Sequence, residues 1–468
     1  LKAKSARKLF GTNGVRGILN KDLTPQMVLD LSESIGTFFG QRIGSSKILL
    51  GWDGRTSSPM LADIVASGLV NAGCKVYQAG MAPTPAIQFL TKTQDLNGGV
   101  MVTASHNPPE YNGIKVIDKD GVEISPKDEL IIENIYFKKK YERKDWNHLG
   151  EKLSIQDGLD TYREAIRQKV DEEKISKSKL KIVVDPANGV GSLVTPYLCR
   201  ELGCEIITIN ANIDGNFPGR LPEPRPANLE SLCKAVKVSQ ADLGVAHDGD
   251  ADRAIFVDER GQVHWGDKSF ALIVEHFLRN NPGEEIVTPV SSSQMIEIIA
   301  LKNGGKVIWT PVGSPYVSRT MIDKDAKLGG EENGGIFYGP HIPVRDGAMA
   351  TALMLEIMAF SGEKLSQLIE KLPRYFNIKD KVPCPVNLKS KILKKLESNV
   401  KAAKIETTDG LKIWQKDGSW ILVRPSGTEP LYRIFAEADT QEKVEALALR
   451  YKKLITRIIK NIRRKWLA

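Results

Sequence analysis

KILLGWDGR, residues 47–55, is an apolar run, Ile48-Leu49-Leu50, that breaks into a polar, glycine-containing end. A short apolar run bounded by a turn signal reads as a buried strand ending in a loop. The same plan returns as KIVVDPANG at 181 and EIVTPVSSS at 285. Each is followed by a helix-length stretch and then by a glycine-containing turn into a second strand: NAGCKVYQAG at 71, ELGCEIITIN at 201 and KNGGKVIWTP at 302. The aligned Gly73, Gly203 and Gly304 suit the position just past a helix end, where φ is positive. Three units of one design predict three related α/β domains with mixed sheets. From about Tyr375 the pattern changes to short strands around Asp-Gly turns, IETTDGLKIWQKDGSWILVRPSGTEPLYRIFAEA, and then a long helix, which predicts a fourth, α+β domain. The expected division is 1–155, 156–258, 259–374 and 375–468, with linkers near 145–160, 255–265 and 370–380.

At 468 residues the chain exceeds what one core can organise. With 41% hydrophobic and 26% charged residues, its composition excludes a disordered or fibrous class. No window approaches the roughly 20 apolar residues of a membrane span. The basic N-terminal stretch lacks the apolar core of a signal peptide, so a cytoplasmic location is expected. Cys74, Cys199, Cys204, Cys233 and Cys384 are odd in number and lack C-x-x-C spacing, which predicts free, mostly buried thiols. The formal net charge of +9 raises nucleic acid or a membrane surface as partners. The densest basic runs are FKKKYERK at 137–144 and the tail from Tyr451. In that tail Tyr451, Leu454, Ile455, Ile458, Ile459 and Ile462 recur at helical spacing among lysines and arginines. This is an amphipathic helix whose apolar face is expected to cover a small sheet. A basic protein equally favours phosphorylated, anionic substrates.

Four stretches carry chemistry. MVTASHNPPEYNGIKV, 101–116, places Ser105 and His106 after an apolar strand end and before a Pro-Pro pair that forbids a continuing helix. In an open α/β sheet that edge is where ligands bind. The G-x-S-x-G elbow of an acyl-transfer serine is missing. Read alone, Ser105 is a turn serine bonding its own backbone. DLGVAHDGDADRAIFVDERG, 242–261, sets Asp248, Asp250 and Asp252 between two strands, and three carboxylates so spaced imply a hard divalent cation. A helix-flanked calcium loop would also use Glu259 at its twelfth position. It requires glycine where Arg253 stands and helices where strands are expected. WILVRPSGTEPLYRI, 420–434, offers the Arg424 fork, Ser426, Gly427 and Thr428, a set suited to a phosphate, although a polar turn reads the same way. GGEENGGIFYG, 329–339, is a glycine-rich loop whose Glu331 and Asn333 can bond adjacent hydroxyls.

In this order, TASHNP, DGDADR, GEENGG and RPSGTEP resemble the four signature loops of the α-D-phosphohexomutase superfamily, one loop per domain. The opening FGTNGVRG, with Arg16, resembles the phosphoglucosamine mutase branch, and the whole pattern is similar to archaeal-type phosphoglucosamine, phosphoglucose and phosphomannose mutases. The resemblance implies four domains around a central cleft. It implies a phosphoserine at Ser105, with Mg2+ held by Asp248, Asp250, Asp252 and a phosphoserine oxygen. Lys115, Arg253, Arg16 and His106 would lie near the transferring group. Glu331 and Asn333 would bind sugar hydroxyls, and Arg424, Ser426, Gly427 and Thr428 the phosphate that is not transferred. The implied substrate is a phosphorylated hexose or hexosamine, converted through a hexose 1,6-bisphosphate by a monomer or homodimer, with no nucleic acid or membrane partner. Other readings are a basic nucleic-acid or membrane-surface protein, or a sugar-phosphate phosphatase on the same scaffold. Relatives carry His where this chain has Gly335, so that acid/base role does not transfer. Lys115 takes its place as candidate, with His341 or Arg345 to fill the space.

Overall fold

In the computed structural model, which describes residues 9–11, 13–44, 46–400, 402–426 and 430–467, the opening runs become the central strands of three sheets. The first sheet contains β1 (Val15–Ile18), β2 (Lys47–Trp52), β3 (Lys75–Met81), β4 (Gly98–Val102), β5 (Tyr111–Asp118) and β6 (Glu151–Ser154), in the order β1-β5-β4-β2-β3-β6. The second contains β7 (Lys181–Asp185), β8 (Glu205–Thr208), β9 (Leu243–His247), β10 (Ala254–Asp258) and β11 (Val263–His264), in the order β11-β10-β9-β7-β8. Its last strand carries it past residue 258. The third contains β12 (Glu285–Pro289), β13 (Lys306–Thr310), β14 (Leu328–Gly330), β15 (Ile336–Tyr338) and β16 (Ile342–Arg345), in the order β13-β12-β14-β15-β16.

The opening strand of each sheet runs parallel to both neighbours, and the third strand of each unit then takes an antiparallel partner. The sheets are mixed, as expected. The three helix ends repeat as well. Gly73, Gly203 and Gly304 have φ of 89°, 83° and 78°. The next residue in each case donates its N–H five residues back, Cys74 to Leu69, Cys204 to Cys199 and Gly305 to Ala300. This closure requires the left-handed conformation that glycine adopts without strain.

The helix Gly347–Ser361, GAMATALMLEIMAFS, is apolar nearly all round and accordingly buried on nearly every side. It sits in a core shared by the first three domains, where Leu49 and Met101, Val245 and Phe256, and Phe270 and Leu353 join one cluster. The fourth domain is antiparallel throughout, with β17 (Phe376–Pro383), β18 (Lys404–Glu406), β19 (Leu411–Trp414), β20 (Trp420–Pro425) and β21 (Leu431–Ala438) in the order β17-β21-β20-β19-β18. Its last helix begins at Gln441, ten residues before the apolar stripe at Tyr451. Tyr451, Ile455, Ile458, Ile459 and Ile462 are buried against this sheet, so the stripe has its partner inside the molecule. No described helix is long and apolar enough to cross a membrane. The cysteines are unpaired, and all but the half-buried Cys233 are buried.

Candidate active site

Ser105 lies in the loop between β4 and β5, fully buried, with φ of 52°. A non-glycine residue in that region carries strain of about 1 kcal/mol or more, which the surroundings must hold in place. The Ser105 N–H donates to Thr103 Oγ1 at 2.9 Å, and its carbonyl accepts from Arg55 Nη2 at 2.8 Å. Its hydroxyl donates across the domain boundary to Asp248 Oδ2 at 2.9 Å, not to its own backbone. The approach is close because residue 249 is glycine: a Cβ there would stand 2.6 Å from the Ser105 carbonyl oxygen.

Asp248, Asp250 and Asp252 follow β9 and are buried, each offering a carboxylate oxygen within 4.8 Å of the others. Burial, then Asp252 and Asp250, pushes the Asp248 carboxyl well above its ordinary range. Although burial acts in the same sense on Asp250, the Lys115 ammonium and the Thr84 hydroxyl hold it below that range. Lys115 Nζ donates to Asp250 Oδ2 at 2.7 Å, and Thr84 Oγ1 to the same oxygen at 2.6 Å. Asp250 Oδ1 and Asp252 Oδ1 are buried without a hydrogen-bond partner. All-oxygen donors, mutual repulsion and orphaned acceptors fit a hard divalent cation. Arg253 donates its N–H to Asp248 Oδ1 at 3.2 Å and Nη2 to His106 Nδ1 at 3.2 Å. That bond makes Nδ1 an acceptor, and burial, then Arg253, holds the imidazole neutral, its pKa well below the usual value. Arg16 on β1 donates to Asn107 Oδ1 at 3.1 Å. Burial, with Arg345 and Arg253 nearby, pulls its pKa down to about 10.

The glycine-rich loop between β14 and β15 is stitched to the second domain, where Ala254 N donates to Gly334 O at 3.1 Å. Glu331 and Glu332 are buried, and Asn333 Oδ1 accepts from Gly335 N at 3.2 Å. The space beside Gly335 is taken by Arg345. A Cβ at 335 would lie 2.5 Å from Arg345 Cδ and 2.8 Å from Cγ. The Arg345 guanidinium donates to Asp252 Oδ2 at 2.5 Å and reaches Glu331 Oε2 at 3.4 Å, joining the two loops. His341 instead stacks on Phe89, with ring centroids 4.7 Å apart, beside Tyr162 in the shared core. In the fourth domain Arg424 is the last residue but one of β20, and Ser426 N donates to Leu431 O at 3.0 Å. Gly427 and Thr428 lie outside the described residues.

Sequence profiles of the phosphoglucomutase/phosphomannomutase family match along the chain: alpha/beta/alpha domain I at 7–143, domain II at 160–261, domain III at 265–376 and the C-terminal domain at 382–453. This chain is a member of the phosphoglucomutase/phosphomannomutase family. It is 46% identical over 439 residues to a phosphoglucomutase/phosphomannomutase of Thermococcus kodakarensis, covering 93% of this chain and 96% of that protein. It is 48% identical over 457 residues to a phosphoglucosamine/phosphogalactosamine mutase of Sulfurisphaera tokodaii, covering 96% and 99%. The crystal structure of a family protein from Burkholderia thailandensis superimposes with a TM-score of 0.86 at 28% identity, covering 96% and 97%. The chain is a hexose phosphate mutase, an intramolecular phosphotransferase.

Several groups that build this candidate site stand outside the four loops. Arg55, at the end of the opening stretch, is fully buried and binds the carbonyls of Ser105, Asn107, Pro108 and Tyr111. Asp53 holds Arg55 Nε at 3.1 Å and accepts from Thr103 Oγ1 at 2.6 Å. The second repeat does the same for the carboxylate loop. Asp185, ending β7, holds Arg220 Nε at 2.7 Å, and Arg220 Nη2 binds the His247 carbonyl at 2.7 Å. The signal in the sequence is the acid that closes each opening strand, Asp53 and Asp185. Thr84 leaves no such sign.

Proposed function

We propose that this mutase interconverts hexose 1-phosphates and hexose 6-phosphates through a phosphoryl group carried on Ser105. The observation that supports it most is the buried Ser105 hydroxyl, 2.9 Å from Asp248 in a three-carboxylate cluster ringed by Lys115, Arg253 and Arg16. A phosphoserine there brings roughly −1.5 to −2 charge, for which this ring of cations is suited. Magnesium held by Asp248, Asp250, Asp252 and a phosphoryl oxygen would supply the remaining charge neutralisation. In the first half-reaction the bond from phosphorus to Ser105 Oγ breaks as one forms to the free O6 or O1 of the sugar. The hydroxyl proton of the sugar ends, in net terms, on Ser105 Oγ. The resulting 1,6-bisphosphate reorients, and the other phosphoryl group returns to the serine.

Glu331 and Asn333 are suited to hold ring hydroxyls, and Arg424, Ser426, Gly427 and Thr428 to hold the phosphate not in transit. Lys115 is the candidate for proton transfer. Arg345 is unsuited to that role, since a guanidinium between two carboxylates stays charged. His106, as a neutral acceptor, orients Arg253.

None of these groups is committed to the substituent at sugar C2, and the names of the two relatives span amino and hydroxyl sugars. We therefore expect turnover of glucosamine, glucose and mannose phosphates, with glucosamine phosphate the physiological choice suggested by FGTNGVRG. The test is kcat/KM on all three, with phosphate release measured in parallel. A preference above about a thousandfold for one sugar would point to a dedicated C2-reading group. Phosphate release outpacing isomerisation would make the enzyme a phosphatase.

A further inference from the structure

The Asp409-Gly410 turn between β18 and β19 belongs to none of the signature loops. Gly410 has φ of 87°, and a Cβ there would stand 2.8 Å from Arg424 Cα and 2.9 Å from Arg424 Cβ. The turn is thus pressed onto β20 where Arg424 leaves it, and only glycine allows both the conformation and the approach. From this turn the Asp409 carboxylate makes two contacts with a single oxygen. Oδ2 accepts the Val312 backbone N–H at 3.0 Å and lies 2.9 Å from Arg424 Nε. The Nε–H does not line up with that oxygen, so the pairing is one of charge. Val312 belongs to the third domain, in the loop between β13 and the helix Ser314–Lys324. Among the described residues no other hydrogen bond or ion pair engages the Arg424 guanidinium.

We propose that Asp409 is the positioning residue of the phosphate clamp: anchored by Val312 on the third domain, its carboxylate holds Arg424 by Nε and leaves the two Nη groups as a fork for phosphate. A free arginine samples many rotamers, and holding it at Nε removes most of them without consuming the pair of donors that binds phosphate bidentately. The anchor has a second consequence. Because one oxygen serves both Val312 and Arg424, the fork is aimed only while the fourth domain is seated on the third. A clamp that receives either end of a bisphosphate requires such a fork, fixed by protein contacts.

This inference rests on Arg424 being the clamp arginine, so the experiment includes that residue. Steady-state kinetics with glucose 1-phosphate compare wild type, Asp409→Asn, Asp409→Glu, Arg424→Met and the Asp409→Asn/Arg424→Met double variant, each checked by thermal melting. Asp409→Asn is expected to raise KM about tenfold while kcat changes less than about threefold. Asp409→Glu should recover most of the loss. In the Arg424→Met background Asp409→Asn should add nothing, because its partner is already gone. An unchanged KM in Asp409→Asn, or additive losses in the double variant, overturns the proposal while leaving the clamp intact. An unchanged KM in Arg424→Met overturns the clamp reading itself. Should Asp409→Asn fail to fold, the same cycle with Asp409→Ser decides, since a positioning role predicts a KM shift only where Arg424 is present.

Discussion

Leu49, Val245 and Phe270 come from three different domains yet sit in one apolar core, whereas Val423, Ile434 and Ile455 of the fourth domain belong to another. The first three domains also exchange polar contacts at the site: Ser105 with Asp248, Thr84 with Asp250, and Arg345 with Asp252. The fourth meets them differently. Its hydrogen bonds to the rest, among the described residues, all land on the third domain: Lys379 on Glu332, Glu437 on Gln294 N, the Gly418 carbonyl on Gln294 Nε2, Asp409 on Val312 N and Lys412 on the Val290 carbonyl. A small apolar cluster around Val290, Trp420, Leu422 and Phe435 completes the seam. The groups assigned to chemistry are therefore built into one packed body, and the groups assigned to phosphate recognition ride on a unit with a core of its own, joined by these polar contacts and one small apolar cluster. Rigid-body movement at such a seam repacks only this small cluster and leaves both larger cores intact.

The division is broken most severely if chemistry does not reside in the three-domain body. Ser105→Ala should lower kcat at least about a thousandfold with an unchanged melting temperature, whereas Arg424→Met should act mainly on KM. Equal kcat losses from both would erase the distinction. A finer test concerns the junction of the first two domains. Thr84 Oγ1 supports the Asp250 carboxylate from outside the carboxylate cluster, so Thr84→Val should weaken Mg2+ binding about tenfold or more in a calorimetric titration. An unchanged affinity would show that Thr84 only joins the domains.

The last effect belongs to the seam and is one of stability. Lys412 is buried with Nζ over the rings of Trp309, Trp414 and Trp420, and burial pulls its pKa from 10.5 down to about 8. Glu437 is the charge that opposes this shift most. Below pH 8 the amine is protonated both folded and unfolded, and its contribution is constant. Between about pH 8 and 10.5 the unfolded chain holds a proton that the folded one lacks, so stability rises with pH through that window, by at most about 3 kcal/mol. Lys412→Met should remove this rise from the melting profile of the fourth domain. A variant with the wild-type slope would place the titrating group elsewhere.

The parts of this molecule that were legible in its sequence are those set by local chemistry. Gly73, Gly203 and Gly304 announce helix ends because a left-handed residue is needed there whatever surrounds it. Asp248, Asp250 and Asp252 announce a carboxylate cluster able to hold a cation because their spacing alone forces them together. The tail helix declares its buried face by periodicity. Arg55, Thr84 and Asp409 were not legible, since each depends on a partner 50 to 166 residues away that only the tertiary fold brings near: Ser105 for Arg55, Asp250 for Thr84 and Val312 for Asp409. Gly335 marks an intermediate case. Its missing side chain was visible, but that Arg345 rather than His341 takes the space depends on the β15–β16 hairpin turning the arginine inward.

The most direct measurement follows the phosphoryl group itself. The enzyme is loaded with hexose 1,6-bisphosphate labelled on phosphorus, freed of sugar and divided, one portion mapped by peptide mass and the other chased with unlabelled glucose 6-phosphate. The account predicts one label per chain, on the peptide containing Ser105, leaving with the sugar as bisphosphate during the chase. Label on any other residue, or label released as inorganic phosphate faster than isomerisation proceeds, would contradict it.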